Sequence, residues 1–179
     1  MKKEIMIAGF GGQGVMSIGK SLVEAGLQEG YEVSWVPSYG PEMRGGTANC
    51  SVILSSEPIG APFVYTPSEL IAMNGPSLKK FENDVLAGGI IFINSSVVTE
   101  GIDREDVSVC KVPCDEIAGE LGNPKVANMV MLGAYAAATK ALSPATLQGM
   151  IRHMFTGPKA KLVDLNLPAL PWEIGRAHV

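Results

Sequence analysis

Gly9-Phe10-Gly11-Gly12-Gln13-Gly14 is the stretch whose residue types and spacing most directly imply chemistry. It follows four apolar residues without alternation, Ile5-Met6-Ile7-Ala8, and precedes an amphipathic helical pattern. A strand that enters a helix through glycines lets the backbone turn tightly and approach a ligand. The helix start adds unpaired N–H groups at the positive end of its dipole. Such a place suits phosphate, diphosphate or carboxylate. A second anion-binding group is Arg44, followed by Gly45-Gly46 in the loop that begins at Pro37. A guanidinium forms paired hydrogen bonds to phosphate or carboxylate. Arg44 could equally form a surface ion pair, for example with Glu42, worth about 0–1 kcal/mol.

The kind of anion is narrowed by what is missing. Gly9, Gly11 and Gly14 fall on the three positions of the dinucleotide fingerprint, which also needs an acidic residue about 20 positions later to hold a ribose. That region reads Val33-Ser34-Trp35-Val36-Pro37 and has no carboxylate. No Gly-Lys-Ser/Thr follows the glycines, so a phosphate loop of the ATPase type is excluded as well. The turn is therefore either an anion site of another kind or a glycine turn that only closes a βα unit.

The surrounding elements follow from periodicity. Val15, Ile18, Leu22 and Ala25 recur at helical spacing, with Ser17, Lys20, Glu24 and Gln28 on the other face. Gly26 and Gly30 loosen and end this helix, and residues 31–36 are β-branched and aromatic enough for a second strand. A first βαβ unit is thus complete by Val36. Residues 37–46, with two prolines and three glycines, form a loop on the rim where a parallel sheet binds ligands. Residues 47–55 make a third strand holding Cys50 as a core thiol. Residues 57–67, with three prolines besides Phe63 and Tyr65, form either a surface loop or a run that covers an edge or meets another chain.

Residues 69–74 read as a buried strand ended by Gly75-Pro76, before a helix over 77–86. Strands over 89–94 and 107–112 flank a charged turn at Asp103, Arg104, Glu105 and Asp106. A helix over 113–121 carries Asp115 and Glu116 in its first turn, where the dipole favours them. Residues 128–138 are apolar on nearly every face, which requires burial in a large core or between subunits. Ser143-Pro144 opens a further helix toward Phe155, with His153 as a packing residue. The expected fold is one doubly wound, Rossmann-like α/β domain over 1–179 with a mainly parallel sheet. Its core covers about 1–155 and a tail runs over 167–179.

At 179 residues and net charge −4, with no basic cluster, the chain does not read as a nucleic-acid binder. Its charge-free stretches, among them the one between Lys125 and Lys140, are too short to span a bilayer. The absence of a leader pattern and three cysteines that cannot all pair point to a cytoplasmic protein. Cys110 and Cys114 have no second pair or histidine cluster, so they read as two unrelated thiols and no metal site is expected. No serine elbow, iron–sulfur cysteine quartet or thiamine-diphosphate signature occurs, and no catalytic residue is assigned. A chain with an anion-binding rim and no catalytic set is either a stand-alone nucleotide- or anion-binding regulator or one subunit of a larger enzyme.

Three motifs in order carry a resemblance: the glycine turn, Pro37-Ser38-Tyr39-Gly40-Pro41-Glu42-Met43-Arg44-Gly45-Gly46, and Asn128-Met129-Val130-Met131-Leu132-Gly133. Together they resemble the gamma subunit of 2-oxoacid:ferredoxin oxidoreductases, and the wording of the second is most like the 2-oxoglutarate and branched-chain 2-oxoacid members. The resemblance implies a complex that oxidatively decarboxylates a 2-oxoacid to its acyl-CoA and reduces ferredoxin. Thiamine diphosphate and iron–sulfur clusters are then expected on alpha, beta and ferredoxin-like delta partner chains. For this chain it implies support of assembly and binding of coenzyme A through Phe10, Gly11, Gly12, Gln13, Gly14 and Arg44. In isolation the chain could form a homodimer.

Overall fold

The computed structural model describes residues 1–38 and 47–170. Six strands form one sheet in the order β2-β3-β1-β4-β5-β6. They are β1 (Lys2–Phe10), β2 (Glu32–Ser38), β3 (Thr47–Ser55), β4 (Glu69–Ala72), β5 (Ile90–Asn94) and β6 (Ser108–Val112). β1, β4, β5 and β6 pair in parallel, whereas β3 lies antiparallel between β1 and β2. The sheet is mainly parallel, as expected, but the first βαβ unit is not closed by adjacent strands. β3 runs back from the rim and separates β1 from β2, with Phe10 opposite Thr47 and Ser38 opposite Asn49. Strand direction leaves no mark on local periodicity, because both directions share the same alternation of side chains.

Side chains from the two faces of the sheet enter separate cores. Ile5, Ile7, Ile71 and Phe92 join one core with α1 (Val15–Gln28), α3 (Cys114–Glu120), α4 (Ala127–Thr139) and α5 (Pro144–Met154). Leu70, Ala72, Ile91 and Ile93 join the other with Leu78 of α2 (Gly75–Phe81), Val85 and Val98. β4 and β5 are covered on both faces, which is why their sequences are continuous apolar runs. Val15, Ile18, Leu22 and Ala25 of α1 are all buried, and so are Met129 through Ala136 of α4. The all-round apolar helix is thus covered by this chain's own core.

Several expectations shift. α2 begins at Gly75, not after it, because the Asn74 side chain caps it by accepting from Ser77 N at 2.9 Å, with Pro76 in the first turn. His153 is no packing residue: its side chain is 79% exposed and its Nδ1 lies 2.9 Å from Glu24 Oε1. The tail expected from Leu167 is ordered at its start. A short α6 (Lys161–Asn166) leads into a turn that buries Ala169 and Leu170, and Leu170 packs on Gly133 of α4. Residues 171–179 lie outside the described residues. Val64 is buried while Phe63 and Tyr65 beside it are exposed, and Ser34 Oγ of the edge strand β2 donates to Pro62 O at 3.3 Å. The segment therefore touches that edge strand.

Candidate anion site at the glycine turn

The glycine turn sits where strand order reverses. From β1 the chain passes through α1 to β2 on one side, and β4 lies on the other side. In open α/β sheets the crevice at such a point, beyond the carboxyl ends of the strands, is the usual ligand position. Gly9 and Phe10 complete β1, Gly11 to Gly14 make the turn, and α1 starts at Val15. Gly12 has φ +96° and Gly14 φ +75°, a left-handed conformation that L side chains rarely adopt.

Each glycine is held for a different reason. A Cβ on Gly9 would stand 2.7 Å from the Val15 side chain and 2.9 Å from Met73 Cβ. On Gly14 it would stand 2.8 Å from Asn128 Cβ, so the start of α4 rests directly on the turn. Two of the three sequence motifs therefore touch, a tertiary contact that no spacing in the chain announces. Above Gly12 a Cβ would meet nothing within 4 Å, which leaves this position open to a ligand.

Gln13 turns inward. Its Oε1 accepts from Phe10 N at 2.7 Å and from Asn74 Nδ2 at 2.9 Å, while its Nε2 donates to Met73 O at 3.0 Å. The side chain ties the end of β1 to the end of β4 and to the cap of α2. Among the expected site residues, Gln13 thus spends its side chain on the protein, and Gly11, Gly12 and Gly14 present backbone. Phe10, 38% exposed, stands at the rim. Arg44 lies outside the described residues.

Among the described residues no side chain caps α1, and its first turn holds no acidic residue. Ile18 N makes the first intrahelical bond, to Gly14 O at 2.9 Å, so the amides of Val15, Met16 and Ser17 have no acceptor within the helix. Next to them is a polar cavity of about 300 Å³ walled by Gly12, Gly14, Ser17, Asn94, Asp115 and Lys125. Asp115, Asn94 and Lys125 were not singled out from the sequence as site residues. Their convergence comes from three separate elements, and only the placement of Asp115 in a helical first turn was visible. Asn94, buried at the end of β5, donates to Asp115 Oδ2 at 2.6 Å and accepts from Cys114 N at 3.2 Å.

Burial pushes the Cys50 thiol up to about 11, and it raises Cys110 and, further, Cys114, where the neighbouring Asp115 adds to the effect. These are free, buried thiols, poor metal ligands and poor nucleophiles at neutral pH. Cys110 lies near enough to Cys114 to add to the rise there, so the two are neighbours in the fold. A larger, mainly apolar cavity of about 480 Å³ lies at the other end of α4, lined by Ala136, Ala137, Leu142, Leu147 and Leu170. It is remote from the turn. Among the described residues no helix is long and apolar enough to cross a membrane.

A family model described as pyruvate ferredoxin/flavodoxin oxidoreductase matches residues 4–171. The chain belongs to this family. Within the family it is similar to the ketoisovalerate oxidoreductase subunit VorA of Methanothermobacter marburgensis, 43% identical over 167 residues. That alignment covers 93% of this chain but 34% of the relative, so the chain spans about a third of VorA's length. The 2-oxoglutarate synthase subunit KorC of Methanocaldococcus jannaschii is 37% identical over 154 residues, covering 84% of this chain and 82% of KorC. Among solved structures, the gamma subunit of a keto/oxoacid ferredoxin oxidoreductase from Geobacter sulfurreducens aligns with a TM-score of 0.79 at 28% identity, covering 94% of both chains. The 2-oxoglutarate:ferredoxin oxidoreductase of Magnetococcus marinus, solved with 2-oxoglutarate, coenzyme A and succinyl-CoA, aligns with a TM-score of 0.85 at 26% identity. There the match covers 94% of this chain and 30% of the other. The gamma-subunit resemblance read from the three motifs is borne out, as is its leaning toward branched-chain and 2-oxoglutarate members.

Proposed function

We propose that this family member serves as the gamma-type subunit of a cytoplasmic 2-oxoacid:ferredoxin oxidoreductase. In that assembly alpha, beta and ferredoxin-like delta chains carry thiamine diphosphate and iron–sulfur clusters, and the 2-oxoacid is converted to its acyl-CoA with ferredoxin as electron acceptor. This chain contributes to assembly and holds the phosphates of coenzyme A. The observation that carries the second role is the uncapped start of α1 beside the open face of Gly12, at the switch point of the sheet. Backbone amides there, with the helix dipole, favour a diphosphate. The coenzyme A bound in the Magnetococcus relative supports this choice of anion.

In this arrangement Gly12 and Gly14 supply backbone, Phe10 borders the entrance, Gln13 fixes the turn's shape and Arg44 adds a positive contact. The test uses the assembled complex. Hydrogen bonds to charged groups contribute about 1.5–3 kcal/mol, so Arg44→Ala should weaken apparent coenzyme A affinity roughly 10- to 150-fold. Gly12→Val should weaken it more, because a side chain there fills the space through which the ligand reaches the backbone. Thiamine diphosphate loading should stay near wild type. Unchanged coenzyme A dependence in both variants of an intact complex would leave the turn a purely structural feature.

A further inference from the structure

The apolar cavity at the far end of α4 is built from separate parts of the chain. Ala136 and Ala137 belong to the last turn of α4, Leu142 to the link that follows and Leu147 to α5, and Leu170, the last described residue, closes one side. Its volume of about 480 Å³ lies within the range of pockets that hold small ligands, roughly 300–1,000 Å³. Covering such walls is favourable, since it takes apolar surface out of water. The rim is polar. Glu29 Oε1 accepts from Ser143 N at 2.6 Å, while its Oε2 has no donor among the described residues. Lys140 stands on the same rim, and its ammonium makes no ion pair among the described residues.

An occupant that fits has a large apolar body, one hydrogen-bond donor for Glu29 and a negative charge for Lys140. The chain carries that combination directly after Leu170, in Pro171-Trp172-Glu173-Ile174. Trp172 is two residues beyond the cavity wall, a reach of at most about 7 Å. We infer that the indole of Trp172 fills this cavity, with its N–H donating to Glu29 and the adjacent Glu173 pairing with Lys140. An indole buries about 150–250 Å² and, once covered, needs a partner for its N–H, which Glu29 Oε2 is free to provide. Leu170 fixes the approach. It is buried, and its backbone lies against Gly133, so the chain arrives at the cavity beside α4. The segment after Leu170 thereby completes the core between α4 and α5, and this apolar opening is closed to partner chains.

The test uses the full chain carrying Trp35→Phe, which leaves Trp172 as its single indole. Emission from Trp172 should lie to the blue of that from the guanidinium-unfolded chain, and acrylamide should quench it several-fold less. Ala137→Phe fills the cavity from the α4 wall, so quenching should climb close to the unfolded value while the far-ultraviolet circular dichroism stays native. Lys140→Glu tests the rim without touching the core: quenching should rise, more at low salt than at high, and adding Glu173→Lys should restore the protection. In the chain that keeps Trp35, Trp172→Ala should gain binding of anilinonaphthalene sulfonate, whose rings and sulfonate suit the emptied cavity and Lys140. That gain should vanish when Ala137→Phe is added. Quenching of Trp172 equal to that of the unfolded chain, or protection that survives Ala137→Phe in a folded chain, overturns the inference. Protection that appears only at raised chain concentration, or only with the partner subunits present, puts Trp172 in an interface and overturns it as well.

Discussion

Replacing Gly14 by alanine tests whether the turn is braced by α4. Two costs arise. Gly14 has φ +75°, and an L residue held in the left-handed region loses roughly 1–2 kcal/mol. The new methyl would also stand 2.5 Å from Asn128 Nδ2 and 2.8 Å from Asn128 Cβ. The amide can rotate away, but the Cβ is fixed to the α4 backbone, so part of the overlap must be taken up by moving α1 or α4. Inserting a methyl into such a packed contact costs about 1–3 kcal/mol. Gly12→Ala is the internal control, because φ is +96° there and nothing lies within 4 Å. It should show the conformational cost alone. In urea denaturation of the chain, Gly14→Ala should be less stable than Gly12→Ala by about 1–3 kcal/mol with similar slopes. Adding Asn128→Gly should restore part of that difference, giving a positive coupling in the double-mutant cycle even though glycine itself weakens α4. Equal losses in the two alanine variants, with no relief from Asn128→Gly, would refute the contact between the turn and α4.

Two other outcomes follow from buried groups. Gly133→Ala should destabilise the chain by about 1–3 kcal/mol, the reverse of the usual gain for alanine in a helix, because the methyl would stand 2.5 Å from Leu170 O. Faster tryptic cleavage at Lys161 would show that the segment from Leu167 to Leu170 has come off α4, and unchanged or increased stability would contradict that packing. The three cysteines should resist alkylation at pH 8 in the native chain and react in guanidinium, since burial keeps them protonated. Cys50 rises from 9.0 to about 11 on folding, so its contribution to stability is whole below pH 9 and is lost as pH climbs through about 11.

Much of the frame was legible because it depends on local pattern. The unalternated strand before Gly9, the 3.6-residue recurrence through Val15 and Ala25, and the Ser143-Pro144 start of α5 each state a local energetic preference. The insertion of β3 between β1 and β2 is a choice among pairings that no single segment encodes. The early start of α2 was hidden because Gly75-Pro76 reads as a breaker unless Asn74 is recognised as the cap. His153 was misplaced because helix α5 is too short for its apolar stripe to assign every position, and the partner Glu24 lies 129 residues away. In the site, the residue types on the turn were readable while their duties were not. Gln13 could be a ligand contact by chemistry, and only the positions of Met73 and Asn74 show its amide already bonded to the protein.

That division of duties decides how the site can bind. Gly9 and Gly14 are glycines because the protein itself comes too close, from Val15 and Met73 at one and from Asn128 at the other. Gln13 then bonds the turn to β4 and the cap of α2, so the turn is held from both faces of the sheet. A turn fixed in this way keeps the amides of Val15, Met16 and Ser17 aimed outward before any ligand arrives, and little ordering entropy remains to be lost on binding. Gly12, by contrast, has open space above it. It follows that substitutions at Gly9, Gln13 and Gly14 act on binding through the shape and stability of the turn, whereas a substitution at Gly12 acts by occupying the ligand's own place.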